Sequence, residues 1–241
     1  MRVSEDVTSA DAQQEAESPA MTEEPTPDDR LEHSVVVDGN IIRTRRLTLR
    51  PWRVDDAPGA MAIFGDPDVT RWMAPALTVV STQEAMEGLL ASWRDEAASL
   101  DTPQGRWAVI ETTTGELVGG AALLLLPPYR IDLEVGWHLG QSHWGHGYAS
   151  EAGHAVAHQA LLQGEDEVFA VVRTNNRRGC ATALRVGMEW VGETEKYYDL
   201  RLNVYRLRSG DLDVSAVTHP TDSRDADGLI GDDLGRSGTA P

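Results

Sequence analysis

The sequence predicts an α/β fold in the broad sense, α+β mixed, built on a mixed sheet with flanking helices. Three observations lead there. Strand-like segments outnumber helical ones but are interspersed with them. One strand passes through a glycine-containing turn straight into an Ala-rich helix. The last two strand-like segments lie close in sequence and close the domain as an antiparallel pair.

The elements follow in order. Thr44–Pro51 alternates Leu47 and Leu49 with Arg46, Thr48 and Arg50, the pattern of a half-buried strand. Asp55 and Asp56 can cap a helix running to about Phe64, which Gly65-Asp66-Pro67 ends. Ser81 with Glu84 forms a capping-box pattern, and the following helix sets Met86, Leu89, Leu90, Trp93 and Ala97 on one face. Residues 106–111 and 116–126 flank Thr112-Thr-Thr-Gly115, a hairpin signal. The run Ala121–Leu126 is short enough to be a buried strand. Strand 131–139, helix 147–162, strand 167–173 and helix 177–186 come next, the last ended by Gly187. Segments 191–199 and 202–208 complete the set.

The net charge of −18 is unevenly spread over the 241 residues. Residues 1–33 carry −8 and residues 209–241 carry −5, which leaves −5 for residues 34–208. Both ends are rich in Asp, Glu, Ser, Thr, Pro and Gly and poor in large apolar groups. They cannot bury enough surface to offset the entropy of ordering, so they read as disordered acidic tails around one domain. The single cysteine, Cys180, rules out an intrachain disulfide and suits a reducing, cytoplasmic setting. No signal-like or membrane-length apolar run is present, and an acidic domain without a basic stripe argues against nucleic acid.

Chemistry concentrates in residues 134–152. Trp144-Gly145-His146-Gly147 is a turn with room for close backbone approach, and it opens a helix. A helix start presents free N–H donors and the positive end of its dipole, which together make an anion site. In the preceding strand, Leu133, Val135, Trp137 and Leu139 point one way, toward a core. Glu134, Gly136 and His138 point the other way, with the glycine leaving that face open. If the chain stayed extended, Glu134 and Ser142 would lie roughly 25 Å apart, a span that suits a ligand with a long arm.

Residues 43–208 resemble the GNAT superfamily of acyl-CoA N-acyltransferases, in particular its RimJ/RimL-like branch. Four blocks in order carry the resemblance: residues 44–52 with Asp55-Asp56, residues 134–139, residues 144–152, and residues 176–188. The third is similar to the family's W-G-x-G-Y-A-T-E-A turn, and the fourth to N-x-x-S-x-x-V-x-x-x-x-G-F/M. The resemblance implies a central mixed, mostly antiparallel sheet whose fourth and fifth strands splay apart. It implies acetyl-CoA or another short acyl-CoA as co-substrate, with no metal. The pyrophosphate would lie on the backbone N–H groups of Ser142, His143, Trp144, Gly145, His146 and Gly147. The pantetheine would pair with the strand edge at Trp137, His138 and Leu139, and Asn176 would hydrogen-bond it. The acceptor would be a primary amine, on a protein N-terminus or a small molecule, and a homodimer would be in keeping with the family. Two positions depart from the family pattern. Ser142 stands where Gln or Arg is usual, with Gln141 one place off, and Gly179 replaces the serine after the motif asparagine.

An amine acceptor arrives protonated near neutral pH, so a base must take its proton. Glu134 is the candidate, with substrate positioning or pairing to an arginine as the alternative. Tyr198, Tyr197 or Ser150 can protonate the departing thiolate; cross-strand packing is the alternative for the tyrosines. Glu151, in the first helical turn, reads as structural. His154 and His158 have metal-capable spacing on a helix, but no further ligand completes a site. A catalytically silent acyl-CoA-binding module is the competing class of function, and an acidic domain would steer a cationic acceptor.

Overall fold

The computed structural model describes residues 35–211. The expected tails fall outside these residues, apart from 209–211, which form a short 3-10 turn. Nine strands make one sheet: β1 (Val36–Asp38), β2 (Ile41–Arg43), β3 (Leu47–Pro51), β4 (Gly105–Glu111), β5 (Leu117–Leu125), β6 (Leu133–Leu139), β7 (Glu167–Arg173), β8 (Glu189–Thr194) and β9 (Leu202–Arg208). Their spatial order is β1-β2-β3-β4-β5-β6-β7-β9-β8. Every neighbouring pair is antiparallel except β6 and β7.

Among the described residues four longer helices flank the sheet, α1 (Ala57–Phe64), α2 (Gln83–Ala97), α3 (Tyr148–Leu162) and α4 (Arg177–Val186), with a single helical turn at Pro67–Thr70. Strand β4 shows how its alternation feeds two cores. Trp107 and Val109 join the cluster under α3 and α4, while Ala108 and Ile110 join the one under α1 and α2. The α1–α2 core is aromatic, with Phe64 edge-on to Trp93 at 5.4 Å and tilted against Trp52 at 5.7 Å. Helix α3 seats closely because its inward side is small: Ala152, Ala155, Ala157 and Ala160 are fully buried. Gly153 leaves room there for the Trp137 ring.

Several expected boundaries move, each for a local reason. The helix expected to start at Ser81 is capped instead by Thr82, whose side chain accepts from the Ala85 N–H at 3.1 Å. Asp56 sits at the start of α1 but makes no side-chain cap; its carboxylate is taken by Arg50 at 2.7 and 2.8 Å and by the Arg53 N–H. Ala97 is exposed and lies outside the buried stripe of α2. The strand expected over 191–199 ends at Thr194, so Tyr197 and Tyr198 lie in the following loop and make no cross-strand pair. The β1–β2 hairpin was not expected at all. Its signal is present, because Gly39-Asn40 between β-branched residues is a two-residue turn dipeptide, and Gly39 has φ +58°.

The feature that positions the site is the seam between β6 and β7. One register pair, Glu134 with Phe169, joins them. Beyond it the strands part, and residues 135–139 and 171–173 become opposite walls of a cleft.

Candidate active site

The cleft has a volume of about 1160 Å³ and passes through the sheet at the β6–β7 seam. On one side it is walled by the start of α3 and by α4. On the other it is walled by residues 69–76 and by Tyr198 and Leu200. Glu134, Trp137, His138, Leu139, Trp144, Gly145, Gly147, Ser150, Asn176 and Tyr198 all line it. Ser142, His143 and His146 do not.

The turn before α3 is shaped by its glycines. Gly145 has φ +86° and Gly147 φ +79°, a left-handed backbone that other residues resist. Gly147 is the N-cap and offers no side chain, and the first helical bond runs from the Glu151 N–H to the Gly147 carbonyl. The N–H groups of Tyr148, Ala149 and Ser150 therefore have no partner within the helix. The cradle differs here from the one the resemblance implies. The His143 N–H already donates to Gly140 and the Trp144 N–H to Gln141, both inside a short 3-10 turn. Their side chains are also engaged elsewhere: His143 faces Glu116 at 3.4 Å, and the Trp144 indole donates to the Leu139 carbonyl at 3.0 Å. That bond occupies one of the two lone pairs of the Leu139 carbonyl. His146 stacks on Tyr148 and faces away from the cleft. The N–H groups of His143 and Trp144 are thus already bonded, while those of Tyr148, Ala149 and Ser150 are open at the helix start.

Arg46, which the sequence reading did not single out, braces this turn. Its guanidinium donates to the His146 carbonyl at 2.9 Å and to Glu151 at 2.6 Å, and it lies over the Tyr148 ring. Tyr148 in turn donates to Glu111 at 2.5 Å. Glu151 is buried and also accepts from Thr44 and the Arg46 N–H, the structural role expected of it. Beside this turn, on the same side of the cleft, Asn176 caps α4, accepting from the Gly179 N–H at 3.0 Å. Arg177 and Arg178 follow at the helix start, and Arg178 lies over the Trp144 ring at 4.7 Å. Two consecutive arginines at a helix N-terminus are a legible anion signal, although the sequence reading used them only as spacing.

At the seam, Glu134 accepts from the Tyr198 hydroxyl at 3.0 Å and from the Val171 backbone N–H. Burial pushes its carboxyl up to about 7, and these two donors offset only part of that rise. Burial, and then the Glu134 charge, raise the Tyr198 phenol well above its usual range. Gly136 is open on its Cβ side, which leaves space in the cleft two residues along the strand from Glu134. His138 packs its ring on Phe64 at 4.9 Å and against Gly120; burial lowers it to about 4, so it is neutral. Tyr198 reaches Glu134 from a loop in which it has φ +58° and Asp199 φ +53°. The loop is pinned by Asp132, which accepts from the Tyr197 hydroxyl at 2.7 Å and from Lys196 at 3.0 Å.

His154 and His158 face each other at 4.4 Å in α3. Among the described residues no group of three or more His, Cys, Asp or Glu side chains is placed to hold a metal ion. No helix among them is long and apolar enough to cross a membrane.

A sheet parted between two parallel strands, with a helix start at the mouth of the gap, is the acyltransferase architecture that the resemblance implied. The chain belongs to the GNAT acetyltransferases: the family described as Acetyltransferase (GNAT) domain matches residues 46–189. Over 110 residues it is 33% identical to the uncharacterized N-acetyltransferase p20 of Bacillus licheniformis, a match spanning 45% of this chain and 59% of that one. Over 159 residues it is 28% identical to the uncharacterized N-acetyltransferase YoaA of Bacillus subtilis, spanning 65% and 87%. In fold it is similar to a GNAT-family acetyltransferase from Bacillus anthracis, with TM-score 0.58 and 19% identity over 70% of this chain and 99% of the other. It is also similar in fold to RimL, a ribosomal L7/L12 alpha-N-protein acetyltransferase solved with coenzyme A, with TM-score 0.57 and 16% identity over 70% and 97%.

Proposed function

We propose that this chain transfers an acetyl or other short acyl group from acyl-CoA to a primary amine by direct attack. The observation that carries the reading is the Glu134–Tyr198 pair at the apex of the cleft. The open N–H groups of Tyr148, Ala149 and Ser150, with Arg177 and Arg178 on the same side of the cleft, suit the phosphates of coenzyme A. The cleft gives its pantetheine arm a path to Glu134. Bound there, the thioester supplies an activated acyl carbon and a thiolate leaving group.

The residues divide the proton work. Glu134, with a carboxyl near 7, takes a proton from the incoming ammonium. The freed nitrogen bonds to the acyl carbon and the carbon–sulfur bond breaks. The Tyr198 hydroxyl gives its proton to the thiolate and regains one from Glu134, so one amine proton ends on sulfur; the second, shed by the nitrogen as the amide forms, passes by way of the re-ionised Glu134 to solvent. Ser150, at the helix start, is the alternative donor to the thiolate. Among the described residues Glu134 is bonded by a tyrosine and a backbone N–H and by no arginine, which favours catalysis over a silent binding module.

Glu134→Gln tests this. Turnover is expected to fall about 10²- to 10⁴-fold, the usual weight of a general base. Glu134 acts as a base only when ionised, so wild-type kcat/KM is expected to rise as pH climbs through about 7. The variant should be flat across that window and keep its thermal shift with acetyl-CoA. Wild-type turnover in the variant would remove Glu134 from the role.

A further inference from the structure

The acceptor side of the cleft holds a cation that this reaction does not use. Arg173 is the last residue of β7. Phe169 and Val171 alternate with it on one face of the strand, while Val172 on the other face lies against the Gly179 position of α4. From the cleft wall the Arg173 Nη2 donates to the Ala74 carbonyl at 2.7 Å, on the facing segment. Its Nε is buried without a hydrogen-bond partner. Among the described residues no carboxylate lies within ion-pair distance of it. Arg71, the other arginine on this side, is already paired with Asp68 at 3.2 Å and lies over Trp72. A half-buried cation balanced by one carbonyl is costly unless an anion joins it. Among the described residues Glu134 is the sole carboxylate lining the cleft, and its carboxyl is held near 7 without Arg173 among the causes.

The spacing limits what that anion can be. Arg173 stands two residues beyond Val171, whose N–H donates to Glu134, so the two groups start about 6.6 Å apart along the strand. An α-amino acid places its carboxylate oxygens about 3 Å from its nitrogen. With a hydrogen bond of about 2.9 Å at each end, it spans roughly 9 Å, enough to bridge the two residues. The remaining wall is apolar, formed by Val69, Trp72, Met73, Leu124 and Leu200. Resting on the acyl-transfer reading above, we propose that Arg173 binds the carboxylate of the acceptor through its outer guanidinium edge, and that the acceptor is a free α-amino acid with an apolar side chain. A polyamine fits poorly, because its further ammonium groups would meet arginines and no second carboxylate. The acidity of the whole domain is therefore a poor guide to this pocket, whose local charge runs the other way.

The test measures thiol release from acetyl-CoA with L-leucine, L-leucinamide, isoamylamine, a leucine-initiated tripeptide and spermidine, in wild type, Arg173→Gln and Arg173→Lys. For wild type, kcat/KM for leucine should exceed that for leucinamide roughly ten- to hundredfold, the weight of a charge-assisted bond. Arg173→Gln should erase that gap, mainly through the KM for leucine, while Arg173→Lys keeps part of it. The inference is overturned if leucinamide, the tripeptide or spermidine matches leucine in wild type. It is also overturned if Arg173→Gln lowers every acceptor equally, since a side chain that only ties down Ala74 would do that. Acylation of some amine with no preference for the carboxylate sinks this inference alone. Absence of thiol release with every amine, together with no acetyl-CoA thermal shift, sinks the acyl-transfer reading with it.

Discussion

Gly179 stands where the related pattern carries a serine, and the packing around it gives the reason. A Cβ at this position would lie 2.7 Å from the Asn176 Nδ2 and 2.8 Å from the Val172 Cγ1. The same glycine supplies the N–H that Asn176 caps. Gly179→Ser is therefore expected to displace Asn176 and cost about 1–3 kcal/mol, as overpacking does. Thermal denaturation measures the loss, and an unshifted melting temperature would show that the neighbours yield freely. From sequence this position was visible only as a mismatch to a pattern. The contact that explains it is to Val172 on β7, which no local spacing reveals. Glu134 was legible for the opposite reason. Its place on an alternating strand beside Gly136 follows from the chain's own pattern. Its shift to about 7 did not, because that depends on burial in the folded chain, offset in part by Tyr198 and the Val171 N–H, both distant in sequence.

At the scale of elements, the segment between β8 and β9 does what neither strand can. Tyr197 points to Asp132, and Tyr198, adopting φ +58°, turns to Glu134. The alternation of 191–199 read as one continuous strand. Gly192, at φ +132°, breaks the register, and Thr194 accepts from the Lys196 N–H to start the turn. Left-handed backbone at a tyrosine and an aspartate carries no sequence signature of the kind glycine gives, so the loop and its hydroxyl could not be read in advance. Asp132 is a positioning residue in this arrangement. Asp132→Asn is expected to lower kcat about tenfold, in line with one weakened hydrogen bond of the charged kind. The KM for acetyl-CoA should be unchanged, since the coenzyme turn lies at the other end of the cleft. An equal rise in that KM would mean a general loosening of the fold instead. By contrast α4 was read to the residue, because its asparagine cap and its glycine stop both lie in its own sequence.

Over the whole molecule, the sheet is two blocks, β1–β6 and β7–β9, joined in register at one residue pair. Two of the antiparallel pairings, β4–β5 and β8–β9, were readable from a hairpin signal and a short connection, whereas the mostly antiparallel order and the splayed seam came only with the family resemblance. No pattern within β6 or β7 says where two strands stop pairing. A ligand lying in the gap touches both blocks and should stiffen their relation as well as add its own binding energy. Acetyl-CoA at 100 times its Kd is expected to stabilise the fold by about 2.7 kcal/mol. Amide exchange should slow most in 135–139 and 171–173, and protection spread evenly over the domain would argue against a bridging ligand.

The pinned loop has a further consequence. Any protein that holds an activated thioester risks acylating its own amines. This chain carries 20 arginines and one lysine in 241 residues. That lysine, Lys196, is the one bound to Asp132 and Tyr197, and both contacts raise its pKa and keep it an ammonium. Guanidinium groups are not nucleophiles at neutral pH. Among its side chains the thioester thus meets a single amine, which is kept protonated, and a single thiol, that of Cys180.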